Sequence, residues 1–264
     1  HIEASNIGLI IVATSTTDYA FPNQASLVQA KLKAVNAMCF DVSAACSGFI
    51  TALDIAASML KVGSYKYALV IGSEKMSEIV NWKDRSVCVL FGDGAGAVVL
   101  KAVDNNTEDD TGVSVGHERG IIDSNIYNDG TGASVLTGGR RFSDSCSTDI
   151  FIHMDGQEVF KFAVKSVPTA IETLLHNNNM DVNDVDKFIL HQANVRIIES
   201  VAKRLKADKD KFPVNLNEYG NTSSASIPIL LDELNRNGSL KQGEKLVLAG
   251  FGAGLSWGSI LLVW

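Results

Sequence analysis

The sequence predicts a layered α/β fold made of two similar halves, and three observations carry that reading. Continuous apolar runs of the kind found in strands buried on both faces recur along the chain: IGLIIVA at 7–13, YKYALVIGSE at 65–74 and VDKFILHQAN at 185–194. Segments with helical apolar spacing alternate with them, which places the chain in the layered α/β class. Two stretches also match in style, ALVIG through FGDGAGAVVL and KLVLAGFGAGLSWGSILLV. Each reads as strand, glycine-rich turn, strand, and together they form a degenerate internal repeat.

Residues 7–13 open the chain as a buried strand. FPNQASLVQAKLKA, from 21, passes a turn proline and becomes a helix with Leu27, Ala30, Lys31 and Ala34 on one face. MCFDV, 38–42, is a short strand. The helix expected over 46–63 carries Phe49, Ile50, Leu53, Ile55, Ala56, Met59 and Leu60 around most of its circumference, the mark of a buried central helix, with Gly63 as its stop. Residues 87–103 read as two strands around a glycine-rich turn, followed by a polar, acidic loop at 104–112. The Gly-, Ser-, Asn- and Asp-rich stretch 113–150 reads as a loop-rich insertion between an N-terminal half, 1–112, and a C-terminal half, 151–264. In the second half a helix follows QEVFKF, with Pro168 expected to kink or divide it. Further helices are expected over VRIIESVAKRL and SASIPILLDELNRNG, and two strands around glycines close the chain.

The 264 residues, 46% hydrophobic and 20% charged, suffice for one large domain or two packed halves with a real core. Lys and Arg number 23 against 30 Asp and Glu, a net charge of -7 that argues against a nucleic-acid partner, because such binding needs clustered cations. A local basic patch at a substrate mouth remains compatible with that total. No apolar run reaches the roughly 18 residues of a membrane helix, and the N-terminus carries no secretory signal. The cysteines at 39, 46, 88 and 146 show no CxxC pair and no zinc spacing. Cys39 and Cys88 sit in apolar surroundings and read as core, which fits a reducing, cytosolic setting. A buried strand begins within a few residues of His1, so the start reads as cut into an ongoing fold.

Three residues stand at element ends beside unusually small neighbours. Cys46, in DVSAACSGF, sits at a strand-to-helix junction, where unpaired amides and the helix dipole favour a thiolate; it is either that nucleophile or a small buried residue. His191 follows the strand KFIL at its C-terminal end, where α/β sheets bind ligands, or else its ring merely bonds a loop. Asn221, in EYGNTSSAS, fits ordinary turn chemistry, and it or Thr222 is placed to cap the next helix. Taken together they supply a nucleophile and donors for an acyl oxyanion, with FGAG at 251–254 offering a backbone amide. His153 and Asp155 read as polar strand ends, and His117 and His176 as surface residues. GDGAG at 92–96 lacks both the Lys-Ser/Thr of a phosphate loop and the spacing of a dinucleotide fingerprint.

DVSAACSGF, DRSVCVLFGDGAGAVVL, MDGQEVFKFAV, ILHQANVRIIESVAKRL, YGNTSSASIP and GFGAGLSWG occur in this order and span nearly the whole chain. With these motifs the sequence resembles 3-oxoacyl-[acyl-carrier-protein] synthase III, the initiating condensing enzyme of dissociated bacterial fatty-acid synthesis. The resemblance implies a thiolase-like fold of duplicated α/β halves in five layers (αβαβα), here without the start of the N-terminal half, and a homodimer. It implies that Cys46 takes a short acyl group, commonly acetyl, from acyl-CoA. Malonyl-acyl-carrier-protein then loses CO2 and attacks the bound acyl group, with no cofactor beyond these substrates. It assigns His191 and Asn221 to the malonyl thioester oxygen, the amides of Cys46 and Ala253 to the oxyanion hole, and Arg85 and Phe251 to CoA and substrate. Ala253 stands where many relatives carry glycine. Arg196 falls in the family's carrier-protein patch, to which Lys203 and Arg204 are natural additions. Asn221 separates the CoA-primed type from elongating enzymes, which use a second histidine there. Related polyketide starter enzymes share Cys-His-Asn, and a truncated, nonenzymatic carrier-binding paralogue is the remaining alternative.

Overall fold

The structure, a computed structural model, describes residues 2–63, 65–103, 119–139 and 150–264. His1, His117, Cys146 and the acidic loop at 104–112 lie outside the described residues. In chain order the first elements are β1 (Leu9–Ala13), α1 (Gln24–Leu32), β2 (Met38–Val42), α2 (Gly48–Lys61), β3 (Tyr67–Lys75) and β4 (Asp93–Lys101). Next come β5 (Gly120–Asn128), β6 (Leu136–Thr137), β7 (His153–Met154), α3 (Gly156–Asn177), β8 (Lys187–Leu190) and α4 (Val195–Leu205). α5 (Leu216–Tyr219), α6 (Ser226–Arg236), β9 (Lys245–Gly252) and β10 (Ser256–Val263) complete the chain.

The strands form two four-stranded sheets, β2-β1-β3-β4 and β5-β10-β9-β8, and a small pair, β6-β7. In the first, β1 runs parallel to β2 and β3 while β4 is antiparallel to β3; in the second, β8 runs parallel to β9 while β10 is antiparallel to β9. The β1-β3-β4 and β8-β9-β10 units therefore share one topology, the structural form of the repeat legible in the sequence.

The continuous apolar character of β1 follows from burial on both faces. Leu9, Ile11 and Ala13 join a central core with α2 and α6, whereas Ile10 and Val12 pack outward with Ala25 and Ala34 under α1. That central core also takes in Ile189, Leu246, Leu248 and Ile260 of the second sheet, so α2 and α6 lie between the sheets. The opposite face of the second sheet, through Phe188, Val247 and Leu261, packs on α3 and α4. The layers run α1, sheet, α2 with α6, sheet, α3 with α4: five layers, αβαβα.

Three expectations are corrected. GDGAG does not make a turn between two strands. It leads into the single strand β4, where Gly96 pairs with Gly72 of β3. A Cβ on Gly96 would lie 2.7 Å from Ile229 N, and one on Gly72 would collide with Ser224 O, so these glycines let α6 and the turn before it lie directly on the first sheet. Pro168 does not divide α3, which runs unbroken from Gly156 to Asn177. Proline removes the N–H that would serve Val164 O one turn back, and Arg204 Nη1 of α4 donates to that carbonyl instead, at 3.4 Å. Within the stretch 113–150, β5 is a nine-residue strand on the edge of the second sheet, paired to β10. The helix expected from 46 begins as the 3-10 turn Ala45–Ser47 and becomes α-helical at Gly48.

Gly96→Ala is expected to cost about 1–3 kcal/mol, since overpacking against backbone cannot relax through a rotamer change. Gly130→Ala, with nothing within 4 Å of the added Cβ, is expected to be near neutral. Chemical-denaturation midpoints of the two variants check this.

Candidate active site

Cys46 lies in the turn Ala45–Ser47 and is 9% exposed. Ala45 holds a left-handed φ of 46°, which a non-glycine residue adopts only under constraint. The constraint comes from both sides. A Cβ on Gly252 would fall 2.8 Å from Cys46 N, so glycine lets the end of β9 lie against the turn. Ser47 Oγ, in turn, lies 2.6 Å from Ser256 Oγ at the start of β10.

His191 follows β8, and its amide donates to Ala249 O at 2.8 Å, which continues the sheet pairing one residue further. Its ring meets Phe251 edge-on, with centroids 5.4 Å apart, and its Nδ1 lies 2.7 Å from Ser226 Oγ. Burial lowers its pKa to about 3, so the imidazole is neutral at physiological pH and acts as a hydrogen-bonding group, not a cation.

Asn221 is held by its backbone: its N–H donates to Leu90 O at 2.8 Å and its carbonyl accepts from Gly92 N at 3.0 Å. Its side-chain oxygen accepts from Ser223 N at 2.9 Å. That bond orients the amide, because a backbone N–H bonds only the oxygen, and the NH2 is left as the side chain's donor. Thr222, the alternative cap, makes no side-chain cap bond.

Cys46, His191 and Asn221 line one cavity of about 200 Å³. Leu90, Phe91, Leu136, Met154 and Phe160 make much of its remaining wall apolar. Ser86, Met154 and Gly156 also line an open hollow outside it, with Asp84, His153 and Asp155.

Glu74, at the end of β3, was not singled out from the sequence. It is 4% exposed and receives bonds from both halves. Oε2 accepts from Ser15 N at 3.0 Å and Thr16 Oγ1 at 2.9 Å, while Oε1 accepts from Ser223 Oγ at 3.0 Å and Ser224 Oγ at 2.9 Å. Burial raises its pKa above the usual carboxylate value, and these bonds offset that rise only in part. Ser223, like Ala45, has a left-handed φ, 49°. The run TSSAS was the available signal for this seam, since consecutive small hydroxyl residues beside a buried carboxylate are donors waiting for an acceptor.

The expected depression of the Cys46 pKa is corrected. Burial pushes the thiol up to about 12; a Ser223 hydrogen bond opposes that rise and the nearby Glu74 carboxylate adds to it. A helix dipole is worth about 1 kcal/mol near the surface, which is less than the cost of an anion in a closed cavity. The resting residue is a thiol.

The remaining expected site residues are spread more widely. Phe251 is 5% exposed and lines the cavity, against His191 and Phe162. Arg85 is exposed beside Ser86, on the rim. Ala253 follows Gly252, the residue that touches Cys46, and its carbonyl accepts from Ser256 Oγ at 2.9 Å. Arg196 and Lys203 are exposed on α4, and Arg204, also exposed, is bonded to Val164 O. Among the described residues no group of three or more His, Cys, Asp or Glu is placed to hold a metal ion, and no helix is long and apolar enough to cross a membrane.

Duplicated α/β halves in five layers, with a cysteine in the turn that opens the central helix of one half and a histidine and an asparagine of the other lining the same cavity, define a thiolase-fold condensing enzyme. Family models for 3-oxoacyl-[acyl-carrier-protein] synthase III and for its C-terminal region match residues 40–130 and 175–264. A beta-ketoacyl-[acyl-carrier-protein] synthase III of Clostridium acetobutylicum is 46% identical over the whole of this chain, which covers 79% of that relative. The crystal structure of the Aquifex aeolicus VF5 3-oxoacyl-[acyl-carrier-protein] synthase III superposes with a TM-score of 0.89 at 44% identity, covering 100% of this chain and 79% of that one. The priming beta-ketosynthase of the R1128 polyketide biosynthetic pathway superposes with a TM-score of 0.89 at 34% identity, over 99% of this chain and 76% of that one. The chain belongs to the 3-oxoacyl-[acyl-carrier-protein] synthase III family, the initiating condensing enzymes of fatty-acid synthesis.

Because Cys46 rests as a thiol, its alkylation by iodoacetamide is expected to accelerate by about tenfold per pH unit from pH 7 to 9, without a plateau. Peptide mapping of the labelled residue against pH checks this; a plateau below pH 8 would show a resting thiolate.

Proposed function

We propose that the chain transfers a short acyl group, acetyl in the first instance, from CoA to Cys46 and condenses it with malonyl-acyl-carrier-protein. The observation that carries the reading is the shared cavity of Cys46, His191 and Asn221. In the first step the Cys46 sulfur bonds to the acyl carbon, the bond from that carbon to the CoA sulfur breaks, and the thiol proton ends on CoA. The amides of Cys46 and Ala253 stabilise the oxyanion formed on the way. In the second step the bond from the malonyl carbon to its carboxylate breaks, CO2 leaves, and the electron pair passes into an enolate. Its oxygen is stabilised by donors from His191 and Asn221, both neutral and both fixed before the charge develops. The enolate carbon then attacks the Cys46 thioester, releasing 3-oxoacyl-acyl-carrier-protein and restoring the thiol with a solvent proton.

The remaining assignments complete this reading. Arg85 on the rim contacts CoA, and Phe251 shapes the substrate cavity beside His191. Arg196, Lys203 and Arg204 receive the acidic carrier protein. The stretch 113–150 contributes to the acyl pocket, supported by Leu136 on the cavity wall. The enzyme works without a cofactor, as a cytoplasmic homodimer, with neither nucleic acid nor membrane as partner. A second reading, priming of a polyketide or other secondary metabolite, is favoured by the similarity to the R1128 priming ketosynthase; it shares the chemistry and differs in starter.

His191→Ala and Asn221→Ala are each expected to lower malonyl decarboxylation by about 10²–10³-fold, the usual cost of one oxyanion donor, while acyl transfer to Cys46 stays within about threefold. CO2 release and thioester formation, followed separately with a panel of acyl-CoA starters, check both the division of labour and the choice between the two readings. Equal loss of both half-reactions would contradict it.

A further inference from the structure

We propose that Ser226, the first residue of α6, is a positioning residue that fixes which ring nitrogen of His191 carries the proton. The inference rests on the reading of His191 as a donor to the malonyl thioester and asks what makes it one. A neutral imidazole has one donor and one acceptor nitrogen, and only the tautomer protonated on Nε2 can donate from that nitrogen. His191 Nδ1 lies 2.7 Å from Ser226 Oγ, a buried contact, since His191 is 1% and Ser226 2% exposed.

Hydrogen-bond accounting decides the direction of this contact. Ser226 Oγ already accepts from Gln192 N, at 3.3 Å. Its single proton needs an acceptor in a buried place, and His191 Nδ1, at 2.7 Å, supplies one. Ser226 therefore donates to Nδ1, and the ring proton sits on Nε2. Were Nδ1 protonated instead, the hydroxyl would face two donors and its own proton would need another partner in the core.

The Gln192 backbone that imposes this role is itself locked. Gln192 Nε2 donates to Leu190 O at 2.8 Å, and its Oε1 accepts from Asn215 N at 3.2 Å. The HQAN corner after β8 and the serine that closes GNTSSAS thus act as one device, although 35 residues separate His191 from Ser226. Its work is done before the substrate arrives: Asn221 has its oxygen occupied by Ser223 N, Ser226 does the equivalent for His191, and two donors are left for the same developing charge.

Nitrogen-15 NMR of histidine-labelled wild-type protein tests the assignment without any substrate. The expected spectrum shows His191 with an unprotonated Nδ1 and a protonated Nε2; a protonated Nδ1 overturns the proposal outright. In Ser226→Ala the two tautomers are expected to mix, with decarboxylation falling roughly 10-fold or more and acyl transfer to Cys46 changed less than twofold. Ser226→Thr, which keeps the hydroxyl, is expected to restore the wild-type tautomer and most of the decarboxylation rate. An unchanged His191 spectrum in Ser226→Ala overturns the proposal, whatever the rates. If the spectrum shifts as expected but decarboxylation persists in both Ser226→Ala and His191→Ala, the tautomer assignment stands and the catalytic reading of His191 falls.

Discussion

A buried carboxylate at the seam between two halves is the constraint on which the site depends. Glu74 ends a strand of the first sheet, yet it also accepts hydrogen bonds from Ser223 and Ser224 in the turn that follows Asn221 in the second half. An ionised carboxylate at this depth would be costly alone. Ser15, Thr16, Ser223 and Ser224 offset part of that cost by surrounding it with donors. The bonds hold the Ser223–Ala225 turn beside the Cys46 turn, and the left-handed backbone at Ala45 and Ser223 is the strain such a junction tolerates.

The glycines make the same junction possible from below. Gly72 and Gly96 let the turn and α6 rest on the first sheet, and Gly252 lets β9 rest against Cys46. Side chains at these positions would separate the halves by an atom's width, and the cavity depends on their not being separated. The two central helices, α2 and α6, then start at the seam from opposite halves. One start carries Cys46, and the other carries the serine that meets His191.

Much of this was legible in the sequence. The apolar runs gave away strands buried on both faces, because only a layered fold covers both sides of Leu9–Ala13. Cys46, His191 and Asn221 were conspicuous as polar or reactive residues among very small ones at element ends. What was not legible depended on contacts between distant segments. GDGAG looked like a turn because its glycines answer to a helix more than a hundred residues away. Pro168 looked like a break because the sequence does not show Arg204 replacing the missing N–H. The Cys46 pKa was misjudged for a related reason: the helix start is local and visible, whereas the enclosure that outweighs it is assembled from both halves. Glu74 stayed hidden because one acidic residue at a strand end is unremarkable until its donors are known.

The central claim is that this assembled seam makes Cys46, a thiol at rest, the acceptor of an acyl group. Intact-mass measurement after brief incubation with acetyl-CoA tests it most directly, with the modified residue located by peptide mapping. One acetyl group on Cys46, absent from Cys46→Ala and discharged when malonyl-acyl-carrier-protein is added, is the predicted result. An acetyl adduct that persists in Cys46→Ala, or that stays on Cys46 when the second substrate is supplied, would contradict it.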